Sequence, residues 1–266
     1  MIIIHTMNSL DRALSDLATA ALAAMPVVVL TGARQTGKST LARQLGDDDR
    51  LYLTLDDYDV LDQATSAPDD LVARAPRQTL DEVQRAPGLL IAIKRAVDRK
   101  RQRGRFLLTG SANFALLDKV SESLAGRASY ATLWPMTRRE QQGQGRAGIW
   151  QELFDAHDED WADVVSTHKG VSENWQNAAR RGGYPTPALE LSEAEREHWF
   201  AGYAQTYLDR DVLQLSSISS LPDLRRLMRA VSLRIGQLAN QTELGRDVAL
   251  PQATVHRWLN VLEASY

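Results

Sequence analysis

Gly32-Ala33-Arg34-Gln35-Thr36-Gly37-Lys38-Ser39-Thr40, GARQTGKST, fills the phosphate-loop pattern G-x-x-x-x-G-K-[ST] at Gly32, Gly37, Lys38 and Ser39. An apolar β-branched run, Pro26-Val27-Val28-Val29-Leu30-Thr31, leads in, and a helical run, Leu41-Ala42-Arg43-Gln44-Leu45, leads out. The spacing has a chemical reason. Glycines let the backbone curl until successive N–H groups point at phosphate oxygens, and a following helix adds the partial positive charge of its first turn. Lys38 is placed to reach the β/γ-phosphates, and the Ser39 hydroxyl to ligate Mg²⁺. The whole stretch, Ala33, Arg34, Gln35, Thr36 and Thr40 included, is therefore expected to hold ATP or ADP.

Composition sets the bounds. With 266 residues, 44% hydrophobic and 24% charged, the chain has material for one or two domains with a sizeable core. A formal charge of −3 carries no global nucleic-acid signature, so any such surface must be local. The absence of cysteine excludes disulfides and thiolate metal sites. The start, MIIIHTMNSL, lacks the parts of a signal peptide, and the longest apolar run is broken by Thr19 and Pro26. A cytoplasmic protein with no membrane partner is expected.

Working outward, residues 10–24 show helical apolar spacing, ended by Pro26. Strands are expected at Leu51–Leu55, Gln78–Asp81 and Arg105–Thr109, with a fifth at Ala131–Leu133. Asp56-Asp57-Tyr58-Asp59 stops the second strand, and a short helix lies between Ser66-Ala67-Pro68 and Ala75-Pro76. Leu89–Arg103 reads as an amphipathic helix. Strands alternating with helices after a phosphate loop imply a three-layer α/β fold of the P-loop NTPase kind, its parallel sheet carrying ligand at the strand carboxyl ends. Beyond about Thr137 the pattern turns helical, apart from the rigid turn Arg181-Gly182-Gly183-Tyr184-Pro185-Thr186-Pro187. The expected division is a core at 1–140, a helical lid at 141–215 and a C-terminal domain at 216–266.

Leu80-Asp81-Glu82 ends the third strand, where nucleotide hydrolysis needs two carboxylates: Asp81 to hold Mg²⁺ and Glu82 to polarise the attacking water. Gln78 and Thr79 are unusual in such a strand, which is commonly apolar throughout. Thr109 or Ser111, at the end of the next strand, could hydrogen-bond that water. His157 and His168 lie in an acidic stretch that reads as a solvated face.

The series GARQTGKST, TLDEVQRAPGLL, RFLLTGSANF, SESLAGRASYATLWPMTRRE, GGYPTP and YLDRDV resembles a large group of prokaryotic AAA+ superfamily ATPases. In these an AAA-type P-loop domain precedes a domain of unknown function, and the group is related to the STAND and archaeal-ATPase proteins. The resemblance runs from about residue 10 to the end. It implies ATP and Mg²⁺ as ligands, Gly32–Thr40 as phosphate loop, Asp81 and Glu82 as the Walker B pair, and Ser111 as sensor. Arg127 is the candidate for a cationic finger at the γ-phosphate, acting from its own subunit or, as the alternative, reaching a neighbouring one; otherwise it is a surface arginine beside Gly126. Gly183-Tyr184-Pro185 resembles the turn through which STAND-type lids touch nucleotide, which makes Pro185 a binding candidate; otherwise it joins two helices.

Residues 224–266 hold six arginines against three carboxylates, a local charge of +3. Thr242 is read as capping a helix through Val248, Ala249-Leu250-Pro251 as a turn, and Gln252–Glu263 as a second helix burying Val255, Trp258, Leu259 and Leu262. That is helix-turn-helix grammar, expected here as a winged form displaying Gln252, Thr254, His256 and Arg257. Such a module either contacts DNA or packs as a sensor in STAND-like proteins. The last helix reaches Tyr266 without a turn or cap, and the resemblance implies an apolar strand and a further domain beyond it, the chain being a fragment or a natural truncation. The function expected is an ATP-hydrolysing, AAA+/STAND-like switch with a protein client or self-association. The alternatives are a DNA-binding regulator and a nucleotide-locked scaffold.

Overall fold

The apolar run ahead of the phosphate loop forms β1, Val27–Thr31, buried at every residue. It is the pivot of a sheet completed by β2 (Leu51–Thr54), β3 (Gln78–Asp81), β4 (Phe106–Thr109) and β5 (Ala128–Thr132). The computed structural model describes residues 10–46, 49–110, 124–145, 149–168, 173–207, 218 and 220–265. The strand order is β2-β3-β4-β1-β5, and every pairing is parallel. Parallel neighbours need a crossover, and the sequence between β1 and β4 supplies helices for it: α2 (Lys38–Gln44), α3 (Tyr58–Ser66), α4 (Pro68–Ala73) and α5 (Leu89–Arg99), while α1 (Leu14–Ala24) precedes β1.

β1, β3 and β4 are buried along their whole length, which requires cover on both faces and gives the expected layered α/β architecture. On one face Val28 and Leu30 pack with Ala18 of α1, Leu41 and Ala42 of α2, Leu107 of β4 and Leu133. The apolar stripe of α5 is Leu89, Leu90, Ala92, Ile93, Ala96 and Val97. Two readings shift. The acidic run after β2 does more than stop a strand: Asp57 accepts a hydrogen bond from the Asp59 N–H and caps α3. β5 begins three residues earlier than expected, because Ala128 to Thr132 pair in register with Val27 to Thr31. Its partly exposed Ser129, Tyr130 and Thr132 hid it from an apolar reading.

After β5, Thr137 and Glu140 form a reciprocal capping box at α6 (Arg138–Gln141). Helices α7 (Ile149–Asp155), α8 (Trp161–Thr167), α9 (Trp175–Arg181), α10 (Pro185–Leu189) and α11 (Glu193–Thr206) follow. The chain divides into two compact units at Arg196/Glu197, inside α11. The expected lid segment is thus shared between units, and the Gly182–Pro185 turn belongs with the sheet. No described helix is long and apolar enough to cross a membrane.

In the second unit α12 (Leu221–Ser232), α13 (Gln241–Val248) and α14 (Gln252–Ser265) surround Leu224, Leu227, Leu244, Val248, Val255 and Trp258. The cap of α13 is Asn240 rather than Thr242; its side-chain oxygen accepts from the Thr242 and Glu243 N–H groups. Ala249 takes φ +54° in the turn, where the Leu250 N–H reaches Gly245 O at 2.8 Å. A Cβ on Gly245 would lie 2.8 Å from Leu250 O, so this tight turn needs glycine. Among the described residues there is no strand after Thr132.

The polar residues of β3 have distinct roles. Gln78 is fully buried and its amide donates to Val72 O at 2.9 Å and Ala75 O at 3.1 Å, tying α4 and its exit to the strand. The Thr79 hydroxyl is buried with no partner among the described residues. Gln78→Leu should therefore cost about 1–3 kcal/mol, whereas Thr79→Val should be neutral or stabilising by up to about 1 kcal/mol. Urea-unfolding midpoints check this, and equal losses from both changes would contradict it.

Candidate functional site

The phosphate loop is shaped by backbone demands that its residue types meet. Gly32 has φ +140°, and a Cβ there would fall 2.3 Å from Leu133 O. Gly37, at φ +94°, precedes the first residue of α2. Gln35 also lies in the left-handed region, at φ +61°, an uncommon place for a residue with a side chain. Thr36 is fully buried and its hydroxyl donates to Ala33 O at 3.0 Å. Lys38 is buried too; its ammonium folds back onto Gly32 O at 3.0 Å and Ala33 O at 2.7 Å. Arg34 is half-buried, while Gln35 and Thr40 are exposed.

Because all strands are parallel, β1, β3 and β4 end on the same edge. There the Asp81 carboxylate, 5% exposed, collects three hydroxyl groups. Ser39 donates to Oδ1 at 3.2 Å, Tyr52 to Oδ2 at 2.5 Å, and Thr109 to Oδ1. The Tyr52 hydroxyl is pushed well above its ordinary pKa, first by burial and then by the adjacent Asp81 carboxylate. The Arg43 guanidinium of α2 lies 3.6 Å from the Tyr52 ring centroid. A hydroxyl and a carboxylate meeting at the start of α2 are hard oxygen donors of the kind Mg²⁺ takes, so Ser39 and Asp81 fit that ion.

Glu82 follows at φ +60°, its N–H 3.4 Å from the Thr109 hydroxyl and its carboxylate bonded to the Gln84 amide. Burial raises its pKa above the usual carboxylate value; the Asp81 charge adds to this, and Gln84 and Lys38 oppose it. A carboxylate with raised proton affinity beside a phosphate loop can take a proton from water.

The remaining candidates separate. Pro185 does come to the loop: its Cγ lies 3.8 Å from where a Gly37 Cβ would be. The turn before it is pinned by Met136 N–H to Gly183 O at 2.6 Å and the Gln141 amide to Gly182 O at 2.9 Å. Arg127 does not. It precedes β5 at the amino edge of the sheet, where its own carbonyl accepts from the Val27 N–H and its guanidinium pairs with Asp98 at 2.5 Å and 3.0 Å. The finger expected from the same subunit is replaced by a salt bridge at the wrong end of β1. Ser111 lies outside the described residues.

Two site residues escaped the sequence reading. Tyr52 looked like an ordinary strand aromatic. Arg12 looked like the polar side of an N-terminal helix, yet it is 6% exposed and reaches the loop: it donates to Thr36 O at 2.7 Å, Trp134 O at 2.7 Å and Glu140 Oε1 at 2.9 Å. No local pattern marks either one, since both act through segments distant in sequence.

Comparison with known proteins agrees with this geometry. Residues 24–142 match the AAA domain family, and residues 172–266 match a domain of unknown function (DUF8612). The uncharacterized proteins Rv2008c of Mycobacterium tuberculosis and Mb2031c of Mycobacterium bovis are each 32% identical over 245 residues. The alignments cover 91% of this chain and 48% of each relative, so the chain spans about half the length of the curated relatives it matches. Among solved structures, the Walker-type ATPase PABY2304 of Pyrococcus abyssi is similar, with a TM-score of 0.51 at 14% identity, covering 94% of this chain and 88% of that one. Likeness at that identity speaks for the fold alone. The chain carries an AAA-type P-loop ATPase domain followed by a domain of unknown function.

Proposed function

We propose that this chain binds ATP with Mg²⁺, hydrolyses it, and acts as a nucleotide-dependent switch. The observation that carries the reading is the convergence of the phosphate loop, Lys38, Ser39, Asp81 and Glu82 on one edge of the sheet. In this reading Lys38 leaves the Gly32 and Ala33 carbonyls for phosphate oxygens, a local exchange of acceptors for the same ammonium. Ser39 and Asp81 would hold Mg²⁺, whose charge would neutralise the phosphates. Glu82 orients the attacking water and accepts its proton, which its raised proton affinity favours. Pro185, set beside Gly37, gives the Gly182–Pro185 turn a position from which to respond to the state of the loop. What the switch acts on, whether a protein client or another copy of the chain, belongs to the proposal for the whole protein.

A second reading is a regulator that binds DNA through α13 and α14. What favours it is the exposure of Gln252, His256 and Arg257 near the start of α14, while Val255 and Trp258 face the core. Two of the local arginines are already engaged, Arg226 with Asp223 and Arg234 with Asp247. Duplex binding measured by fluorescence anisotropy at two salt concentrations separates the readings. A regulator binds tightly, with steep salt dependence and no turnover; a switch turns ATP over without needing DNA. ATP bound without turnover or DNA binding would favour the locked scaffold instead.

Lys38→Ala should weaken ATP binding in calorimetry by about tenfold to a hundredfold, because it removes a charge-assisted contact worth roughly 1.5–3 kcal/mol. Unchanged affinity would remove the phosphate loop from the mechanism. Glu82→Gln should keep ATP binding while phosphate release slows by at least about a hundredfold, the usual range for a lost general base. Lost binding with normal turnover per bound ATP would make Glu82 structural.

A further inference from the structure

The Arg12–Glu140 pair joins segments 128 residues apart, and both side chains are nearly inaccessible to water. Burial of that kind is expensive unless every polar atom is answered. Here each nitrogen of the guanidinium has a partner: Nε with Glu140, one terminal nitrogen with Thr36 O, the other with Trp134 O. Glu140 is equally engaged. Oε1 also accepts from the Ala13 N–H at 2.8 Å, and Oε2 accepts from the Thr137 N–H at 2.6 Å. Burial would raise the Glu140 pKa, but these N–H groups and the guanidinium outweigh it and hold the carboxylate below its ordinary value.

The Thr36 contact has a consequence for the loop. A trans peptide points its C=O and N–H in opposite directions. Tying Thr36 O to Arg12 therefore turns the Gly37 N–H away from the guanidinium and fixes the orientation of one of the loop's backbone donors. Arg12 is also close to Gly37 itself: its terminal nitrogen lies 3.4 Å from where a Gly37 Cβ would be. Glu140 sets the Arg12 fork, and the capping box at Thr137 sets Glu140. The same stretch after β5 holds the Gly183 carbonyl through Met136. One buried joint thus connects the residues before α1, the back of the phosphate loop, and the segment that pins the Pro185 turn.

We infer that Arg12, oriented by Glu140, is a positioning residue for the phosphate loop, presetting the Thr36–Gly37 peptide to receive nucleotide phosphates. The inference rests on the nucleotide reading above and deepens it. Lysine cannot replace the arginine, because one ammonium on a flexible stem does not present a planar fork to Thr36, Trp134 and Glu140 together.

The test is ADP affinity by calorimetry, since backbone donors of such a loop cradle phosphates that ADP shares with ATP. Two variants are compared with wild type: Arg12→Lys, and Arg12→Met/Glu140→Gln. The second removes both charges at once, keeps an oxygen acceptor at 140 and leaves no buried ion unpaired, so it is the one more apt to fold. Both should be folded by circular dichroism and bind ADP about tenfold or more weakly, as loss of a charge-assisted hydrogen bond in the site predicts. A folded variant of either kind with wild-type ADP affinity overturns the assignment. If both variants fail to fold, the pair is a requirement of the fold and the assignment is equally overturned. A wild-type protein that binds neither ADP nor ATP defeats the nucleotide reading itself, and this inference with it.

Discussion

The Asp81 carboxylate must be satisfied where it is buried, at the end of β3, and the surrounding elements meet that demand. Ser39 comes from α2, Tyr52 from β2 and Thr109 from β4, each bringing a hydroxyl to one side chain. An ionised carboxylate placed there without donors would cost several kcal/mol, so the three hydroxyls fix the relative setting of their elements. The strand order makes this possible. With β3 beside both β2 and β4, and β4 beside β1, the residues ending each strand fall on one edge. The phosphate loop leaves β1 at that edge, which brings Ser39 within reach of Asp81.

Edge direction also explains which functional assignments could be made from sequence. The loop, Asp81 and Glu82 follow their strands directly, so chain order alone puts them at the carboxyl edge. Arg127 precedes β5, and that small difference moves it to the opposite edge, where Asp98 takes its charge. The strands themselves were legible because burial on both faces demands apolar runs, and β5, with its exposed residues, was least so. Gln78 looked anomalous for a buried strand because its partners, Val72 O and Ala75 O, lie in the preceding helix and turn.

What the sequence concealed shares one physical character: long-range side-chain contact with backbone or with a distant residue. Tyr52 is one of many strand aromatics until β2 pairs with β3 and brings its hydroxyl to Asp81. Arg12 is a surface-type residue until three remote segments close around it. In the second unit the helix pair was legible from the spacing of Val255 and Trp258, but its cap fell on Asn240 rather than Thr242. Both can cap; the choice was made by where the backbone turns into α13.

Asp81 and Glu82 show how adjacent residues of similar chemistry come to lie in different surroundings. Asp81 keeps strand geometry, is surrounded by hydroxyl donors and is suited to holding a cation. One residue later the backbone turns to φ +60°, a conformation that costs a non-glycine residue of order 1–3 kcal/mol. Glycine would relieve that strain, yet the position carries a carboxylate whose proton affinity is raised by burial. The loop bears the same kind of strain at Gln35. Of the three described non-glycine residues in left-handed backbone, Ala249 turns the chain between α13 and α14, and the other two lie in the phosphate loop and directly after Asp81. Strain kept at both, alongside glycines at Gly32 and Gly37 that the same loop does require, fits an edge shaped for a ligand at some expense to stability.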